Sequence, residues 1–464
     1  MSNAVMPKLV VPAPKPLKTA LERALADAFA GAYNTLPGSG WVARVRSDAM
    51  AWFEANGLPS RRVEEFKYTD LRERLKNGFA PAVAAPVAVP TTAEVDGALG
   101  PLARIAGPRL VFVDGVYSAE LSRTSGLGDA VEQMPLAPLL RKAPGWLEGK
   151  FASGRLGEAN ALTSLNTAFM SDGLMIKIKP GRRAEQPVMV VNVRASAMAG
   201  MVVTRNIVAL EPGSAMTLVE AFVVLPTVTS TVTSTMLTSV LTDVTIADGA
   251  SLDHIKCALD GASSHLSSWI AKVGANASYR AFQLTAGQLT ANPGLARHDI
   301  SVEMAGANSK LDISGAFLAR GTQHIDTTLV VDHTVPHCES RELFKGVLDG
   351  RARGVFQGKI IVRRGADKTD GKQMARALLL SEDAEFDSKP ELEIYADDVV
   401  CGHGATAAAL DDNLMFYCRS RGIPEAEART LLIEAFIGDA IDKVEDEAVR
   451  STLMDVSRVW LSQS

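Results

Sequence analysis

A cysteine and a histidine stand two positions apart in the stretch VVCGHGAT. Cys401 and His403 are separated by one glycine, and Gly404 follows directly. A thiolate and a neutral imidazole are good ligands for iron or zinc, and glycines let the backbone approach a bound group closely. Two ligands do not complete a tetrahedral site, so further ligands must come from elsewhere in the chain or from another subunit. The spacing alone leaves two interpretations open: a glycine-rich turn that carries part of a metal site, and a tight turn with a buried cysteine and a hydrogen-bonded histidine.

The other cysteines are weaker candidates for metal binding. His337 and Cys338 are adjacent, and neighbouring residues on a strand point to opposite faces, so they are not expected to bind one ion. In the alternating run LDHIKCAL, Cys257 and His254 also fall on opposite faces; Cys257 is expected in the core, and His254 is a weak ligand candidate. Cys418 is expected to serve packing.

Motifs of common enzyme classes are missing. GADKTDGKQ (residues 365–373) resembles a phosphate-binding loop, but it has five residues between its glycines and ends in Gln373 where a serine or threonine should bind magnesium. No GxGxxG sequence follows a strand pattern, and HExxH, GxSxG and paired CxxC motifs are absent. We therefore expect an ordinary charged turn at residues 365–373 and a protein that is not an enzyme.

Composition narrows the partners and the compartment. A net charge of −5 and 6% aromatic residues argue against nucleic acid as a partner. Four cysteines in 464 residues fit a reducing compartment. Residues 221–242 carry no charge, but seven threonines and three serines favour strands over a membrane span. With no signal-peptide pattern at the N-terminus, we expect a cytoplasmic protein that does not bind membranes.

Hydrophobic periodicity divides the chain into six parts. Apolar residues at helical spacing predict two helices, at residues 17–35 and 41–57. The segment after them, residues 57–75, is expected to be a solvated connector leading into a short helix. Three prolines among small residues mark a linker. The predicted parts are a disordered tail (1–16), an N-terminal helical domain (17–79), the linker (80–93), a mixed region (94–173), a β core (174–410) and a C-terminal helical domain (411–464).

The β core is the organising feature. In the mixed region before it, residues 109–118 predict a strand, a turn and a strand, and residues 128–170 predict helix. From residue 174 the period changes to two for some 220 residues, with turn signals such as Pro212-Gly213 and Asp248-Gly249 between strands. A β-sandwich and a β-helix both fit this pattern; the length of the uninterrupted strand region favours a β-helix of stacked coils.

Several long segments resemble a known family. SRELFKGVLDGRARGVFQGKIIV, KTDGKQ, KPELEIYADDVVCGHGAT and LDDNLMFYCRSRGIPEAEARTLLIEAF together resemble the SufB/SufD family of the SUF iron–sulfur cluster assembly system. EEFKYTDL is similar to the family's WKYTDL element, with Phe66 replacing the tryptophan. The CGHGAT sequence resembles the SufD side of the family, because the SufB side typically carries an EHEAT-like sequence there.

The resemblance implies a mainly β protein, a right-handed parallel β-helix flanked by N- and C-terminal helical domains. It implies a non-catalytic scaffold that pairs with a SufB-like paralogue and binds a SufC-like ATPase through the C-terminal helical domain. His403 and Cys401 would help to hold a nascent iron–sulfur cluster at the paralogue interface. A flavin in the full complex and a homodimer of the isolated chain stay open.

Two alternatives to this function remain. One is a carbohydrate-active β-helix enzyme, which needs acids clustered on one sheet face; Asp312, Asp326 and Asp332 are the candidates. The other is a SufB-like scaffold acting as a homodimer, against which the CGHGAT sequence argues.

Overall fold

Two parallel sheets that face each other form the centre of the molecule. The computed structural model describes residues 19–76, 89–151, 160–196, 200–229, 236–261, 264–287 and 294–462. The predicted tail (1–16) and most of the predicted linker (80–93) lie outside these residues. The described strands form a ten-stranded sheet in the order β19-β17-β15-β13-β11-β9-β7-β5-β1-β2 and a nine-stranded sheet in the order β18-β16-β14-β12-β10-β8-β6-β4-β3, with bounds as follows.

The strands are β1 (Arg109–Val113), β2 (Val116–Arg123), β3 (Val131–Pro135), β4 (Leu174–Ile178), β5 (Val188–Arg194), β6 (Met201–Leu210), β7 (Ala215–Val224), β8 (Leu237–Ile246), β9 (Ser251–Ala258), β10 (Ser264–Val273), β11 (Ser278–Ala286), β12 (Leu295–Met304), β13 (Lys310–Ala319), β14 (His324–His333), β15 (Glu339–Leu348), β16 (Arg353–Val362), β17 (Asp370–Leu379), β18 (Glu385–Ile394) and β19 (Val400–Ala408).

The α-helices are α1 (Ala20–Ala32), α2 (Trp41–Asn56), α3 (Leu71–Arg74), α4 (Thr92–Leu99), α5 (Leu136–Lys142), α6 (Gly145–Glu148), α7 (Ala161–Phe169), α8 (Pro226–Thr229), α9 (Asp412–Ser420), α10 (Glu425–Ile441) and α11 (Glu447–Ser462). Short 3-10 helices lie at Glu64–Phe66 and Gly100–Arg104. Among the described helices, none has the length and apolar character needed to cross a bilayer.

From β4 onward, consecutive strands alternate between the two sheets, so each pair of strands makes one coil of a parallel β-solenoid. β10, β12, β14 and β16 begin at Ser264, Leu295, His324 and Arg353, a repeat of about 30 residues. Each strand pairs residue for residue with the equivalent strand of the next coil. This confirms the prediction of a β-solenoid with helices at both ends and rules out the sandwich.

Stacked turns keep the coils in register. Asn308, His337, Lys368 and Asp398 occupy equivalent corners of four successive coils, and all have φ between 53° and 62°. The backbone N–H of His337 donates to the carbonyl of Asp367, and that of Lys368 donates to the carbonyl of Asp398, both at 2.9 Å. The left-handed conformation is uncommon for such residues, and the hydrogen bonds between corners help to hold it.

Helices cover the outer faces of both sheets. α4, α10 and α11 pack on the ten-stranded sheet, where Ile437 and Leu453 are fully buried against strand residues such as Ala316 and Val347. α1, α2, α5 and α7 pack on the nine-stranded sheet around Phe53, which is also fully buried. Burial of each such side chain stabilises the fold by about 1.5–3 kcal/mol, so these helices belong to the same packed unit as the solenoid.

The segment between α2 and α3 is docked on the solenoid, and the prediction of a solvated connector was wrong. Arg297 forms a fully buried ion pair with Asp326, and its guanidinium carbon lies 4.0 Å from the ring centroid of Phe66. Nη2 of the same arginine donates to the carbonyl of Glu65 at 2.9 Å. Thr69 of the segment donates a hydrogen bond to Asp326. Lys389 of β18 forms an ion pair with Glu64 of the segment at 2.5 Å. An ion pair, a ring contact and backbone hydrogen bonds thus hold this segment across four coils.

Residues 109–118 form the expected hairpin, with Asp114 and Gly115 at positive φ in its turn.

The predictions for two other stretches of the chain need correction. Residues 128–170 are not all helical, because β3 pairs antiparallel with β4 before α5 begins. Within residues 221–242, strands β7 and β8 are present as predicted, but α8 lies between them and residues 230–235 are outside the described part.

Candidate functional site

The solenoid ends in two strands that lack an outer neighbour among the described strands. β18 and β19 are the last strands of the nine- and ten-stranded sheets, and each pairs with the described chain along one edge. Their side chains are half-buried or exposed, whereas those of the preceding coils are mostly buried. The interior of the solenoid therefore opens to solvent at this end, which we call the open end.

Cys401 and His403 lie at the open end, on β19. The predicted glycine-rich turn is in fact this edge strand, and the corner that precedes it lies at residues 396–399. In the ladder with β17, Cys401 pairs with Gly371 and His403 pairs with Gln373. These positions continue the rows of Tyr279, Leu311 and Ser340, and of Ala281, Ile313 and Glu342, which line the interior. Because side chains alternate along a strand, both candidate ligands face the interior of the solenoid.

Cys401 is half-buried beside the apolar residues of the last coils. It packs against the cluster around Ile360 and Val362. Burial raises the pKa of its thiol, the charge of Asp370 raises it further, and a hydrogen bond with the backbone of Gly371 partly offsets these effects. The thiol therefore carries its proton at neutral pH, and a metal ion that binds there must displace it.

His403 is exposed at the rim of the open end. The described residues contain no group of three or more histidine, cysteine, aspartate or glutamate side chains arranged to hold a metal ion. Cys401 and His403 can thus supply two ligands from neighbouring interior positions, while a tetrahedral site needs two more. That the two side chains form half of a metal site stays a prediction.

Two buried polar side chains lie below His403, and sequence reasoning missed them as site residues. Glu342 and Gln373 are 3% and 2% exposed and occupy the positions of the same interior row in the two preceding coils. Ser340 donates to Oε1 of Glu342 at 3.2 Å, but among the described residues Oε2 of Glu342 and both amide atoms of Gln373 lack a hydrogen-bond partner. Burial raises the pKa of Glu342 to about 8. With a repeat of about 30 residues known, their position below His403 would have been predictable.

Other histidine and cysteine candidates are not brought together. His337 is exposed in a coil corner while Cys338 is buried in the core next to Ser309, so the pair faces in opposite directions as predicted. Cys257 is buried on the outer face of its sheet, under the C-terminal helices, as expected. Cys418 is half-buried on α9.

His254 has both ring nitrogens engaged inside the solenoid. Nε2 is 3.0 Å from Glu220, and Nδ1 is 3.0 Å from the hydroxyl of Tyr279. Burial raises the pKa of Glu220, but the hydrogen bond with His254 and the charge of Lys256 outweigh it and hold the pKa at about 2. The imidazole belongs to a satisfied internal network and is not a free ligand.

The remaining chemical candidates do not form sites. The turn expected at residues 365–373 ends at Thr369, because residues 370–373 are the first residues of β17. A phosphate-binding loop, in contrast, leads into a helix. Asp312 lies on the ten-stranded sheet, while Asp326 and Asp332 lie on the nine-stranded sheet, each paired with an arginine. The acid cluster that a carbohydrate-active enzyme needs is therefore not present among these three residues.

The fold is a parallel β-solenoid with helices packed on both sheets, and its last strand carries a cysteine and a histidine on the interior side. Comparison with known protein families identifies the family. Residues 192–436 match the model described as "SUF system FeS cluster assembly, SufBD core domain", and residues 35–190 match "SufBD protein N-terminal region". The chain belongs to the SufBD family of the SUF iron–sulfur cluster assembly system.

Curated relatives agree with this assignment. The chain is 30% identical to the iron–sulfur cluster assembly protein SufD of Escherichia coli, over 86% of this chain and 88% of that protein. It is 29% identical to a SufBD family protein of Synechocystis, over 83% and 84% of the two chains. It is 26% identical to the chloroplastic protein ABCI7 of Arabidopsis thaliana, over 92% and 88%.

Proposed function

We propose that this chain is a non-catalytic scaffold subunit of the SUF assembly complex and that its open end pairs with a SufB-like paralogue. Cys401 and His403 would contribute this chain's ligands to a nascent iron–sulfur cluster at that junction. One observation carries the proposal: both side chains occupy interior positions on a strand that ends the solenoid. A cluster bound there would contact this chain on one side and the partner on the other.

The open end has the physical character of an interface. Edge strands carry backbone N–H and C=O groups that can continue pairing with another chain. Ile394, Tyr395 and Val400 are 43%, 55% and 60% exposed at this end. A second solenoid placed end to end would cover these apolar side chains and extend the two sheets. A second copy of this chain has the same edge, so a homodimer is the competing occupant when the chain is isolated.

The half-site suits a cargo that must later leave. A thiol whose pKa is raised becomes a ligand only when a metal displaces its proton, so protonation favours release of the metal. Ligands shared between two subunits also separate when the subunits move apart. Flavin binding by the full complex stays a prediction.

α9 is the part of the C-terminal helical domain best suited to bind a SufC-like ATPase. No residue of this nine-residue helix is buried, and Leu414, Phe416 and Tyr417 are 50%, 75% and 58% exposed. α10 and α11, in contrast, bury apolar residues such as Ile437 and Leu453 against the solenoid. An exposed apolar helix of this kind supports a protein interface.

The experiment that tests pairing is alkylation of native thiols in the chain alone and in its complex with the SufB-like paralogue, without the ATPase. We expect the paralogue to protect Cys401 at least about tenfold, while Cys418 on α9 stays equally reactive and serves as an internal control. Ile394→Asp should abolish both complex formation and protection. Trp146→Asp, which alters an exposed apolar residue on α6, should leave both unchanged. Equal reactivity of Cys401 in the free and paired chain would overturn the proposal.

A further inference from the structure

The amide group of Gln373 lies beneath Cys401 and His403 and makes no hydrogen bond within the described structure. Gln373 is the register partner of His403 in the adjacent strand, and strands of a sheet are spaced about 4.8 Å apart. Its amide crosses the interior to the facing sheet, where a Cβ atom on Gly358 would lie 1.7 Å from its Nε2 atom. Glycine at position 358 therefore makes the space that this amide occupies. Within the described structure neither amide atom has a hydrogen-bond partner.

A histidine that binds a metal through one ring nitrogen almost always donates its other N–H to an oxygen acceptor. At the open end, the carbonyl oxygen of Gln373 is buried, lacks a hydrogen-bond partner in the described chain and belongs to the strand next to that of His403. On its other side, Gln373 is the register partner of Glu342, which is also buried and whose Oε2 lacks a partner among the described residues.

We propose that Gln373 is a positioning residue for His403: its carbonyl oxygen accepts the free imidazole N–H when the cluster is bound, and its amide N–H donates to Glu342. This inference rests on the proposed function and adds to it a defined tautomer and ring orientation for His403. The row then continues inward, since Glu342 accepts from Ser340 at 3.2 Å, and Ser340 is 3.1 Å from Nε2 of His333.

Binding of the cluster would therefore complete a chain of hydrogen bonds that starts at His403 and runs through three coils. Each member lies at an interior position of the solenoid, and the row reaches bulk solvent only at the open end. Such a chain of hydrogen bonds would hold the imidazole of His403 in place against the rigid core, although β19 itself is an edge strand.

The test uses the complex of the full-length chain with the SufB-like paralogue and the SufC-like ATPase, loaded anaerobically with ferrous iron and sulfide. Histidines of this chain alone carry ¹⁵N, so pulsed electron paramagnetic resonance of the reduced cluster reports only their nitrogens. The variants are Gln373→Met, which keeps length and removes both polar atoms, and Gln373→Glu, which keeps the acceptor. Gln283→Met, at a buried glutamine three coils away in the same sheet, is the matched control.

We expect Gln373→Met to change the coupling of the remote imidazole nitrogen and to weaken iron retention about 10- to 100-fold. Gln373→Glu should retain as much iron as the wild type, but with a different coupling of the remote nitrogen, because a carboxylate is a stronger hydrogen-bond acceptor than an amide. If the methionine variant does not fold, the glutamate variant alone tests the proposal. Gln283→Met should match the wild type. Wild-type coupling and retention in both Gln373 variants would overturn this inference alone; absence of any ¹⁵N coupling in the wild-type complex would overturn the proposed function.

Discussion

His403 and Gln373 are register partners in the ladder between β17 and β19, and both lie on the interior side of the ten-stranded sheet. One is exposed at the rim of the open end and the other is almost completely buried beneath it. The edge of the solenoid thus places a candidate metal ligand above an amide that lacks a hydrogen-bond partner in the described structure.

Substitution of Arg297 should detach the docked segment between α2 and α3. Arg297→Met leaves the Asp326 carboxylate buried without its ion-pair partner, so we expect a loss of about 3–5 kcal/mol in the free energy of unfolding. The double variant Arg297→Met/Asp326→Leu should recover more than half of that loss. Denaturant unfolding monitored by circular dichroism measures both quantities.

The matched control is the ion pair between Lys272 and Glu303, on neighbouring strands of the same sheet. The two side chains are 60% and 29% exposed, so Lys272→Met should cost less than about 1 kcal/mol. An equally small effect of Arg297→Met would contradict the assignment of residues 64–69 as a docked part of the fold.

Glu342 should make stability fall as pH rises. Burial raises the pKa of Glu342 to about 8, well above the usual 4.5, so the native state binds its proton more tightly than the unfolded state does. Its contribution is fully present below pH 4.5 and is lost as pH rises toward 8. Glu342→Gln keeps an acceptor for Ser340 and removes the titration, so it should stabilise the chain at pH 8 by on the order of 2–4 kcal/mol and change little at pH 4.5.

Thermal unfolding of both chains from pH 4.5 to 8.5 checks this prediction. Parallel pH profiles for the wild type and Glu342→Gln would contradict the prediction.

A charge on α9 should prevent binding of the ATPase without disturbing the fold. Phe416 is 75% exposed, so Phe416→Asp places a carboxylate on a surface that is solvated in the free chain and desolvated on binding. We expect at least a tenfold loss in affinity for the SufC-like ATPase by calorimetry, with an unchanged melting temperature. Deleting residues 423–464 is a poorer test, since it removes Ile437 and Leu453 from the core.

Val459→Asp on α11, which alters another exposed apolar residue of the C-terminal helical domain, is the control for the α9 prediction. Equal affinities of the wild-type chain and Phe416→Asp would exclude α9 as the ATPase-binding surface.

The solenoid could be predicted because its cause is local. Strand residues with a period of two continue for some 220 residues, and turn signals separate them, so both the class of fold and the helical ends followed from pattern and resemblance. β3 was missed because VEQMP is short and gains its partner only from β4, more than 35 residues later in the chain. The docking of Phe66 against Arg297 depends on a contact between residues 231 positions apart, which no local pattern encodes.

The candidate ligands were recognised by residue type, but their setting was not. CGHGAT has two glycines and low β propensity, which favoured a turn; pairing with β17 makes it a strand instead. Gln373 and Glu342 carried no motif of their own, and only the coil repeat places them under His403. Whether Cys401 and His403 bind a cluster stays a prediction that the following measurement decides.

The most direct test is the amount of iron and acid-labile sulfide that the reconstituted three-subunit complex retains after anaerobic loading and gel filtration. His403→Ala should reduce retention by at least about tenfold while the complex itself still forms. His337→Ala, which removes an exposed histidine from a coil corner, should retain as much iron and sulfide as the wild type. Wild-type retention by the His403→Ala complex would contradict the central claim that this chain supplies half of an interfacial cluster site.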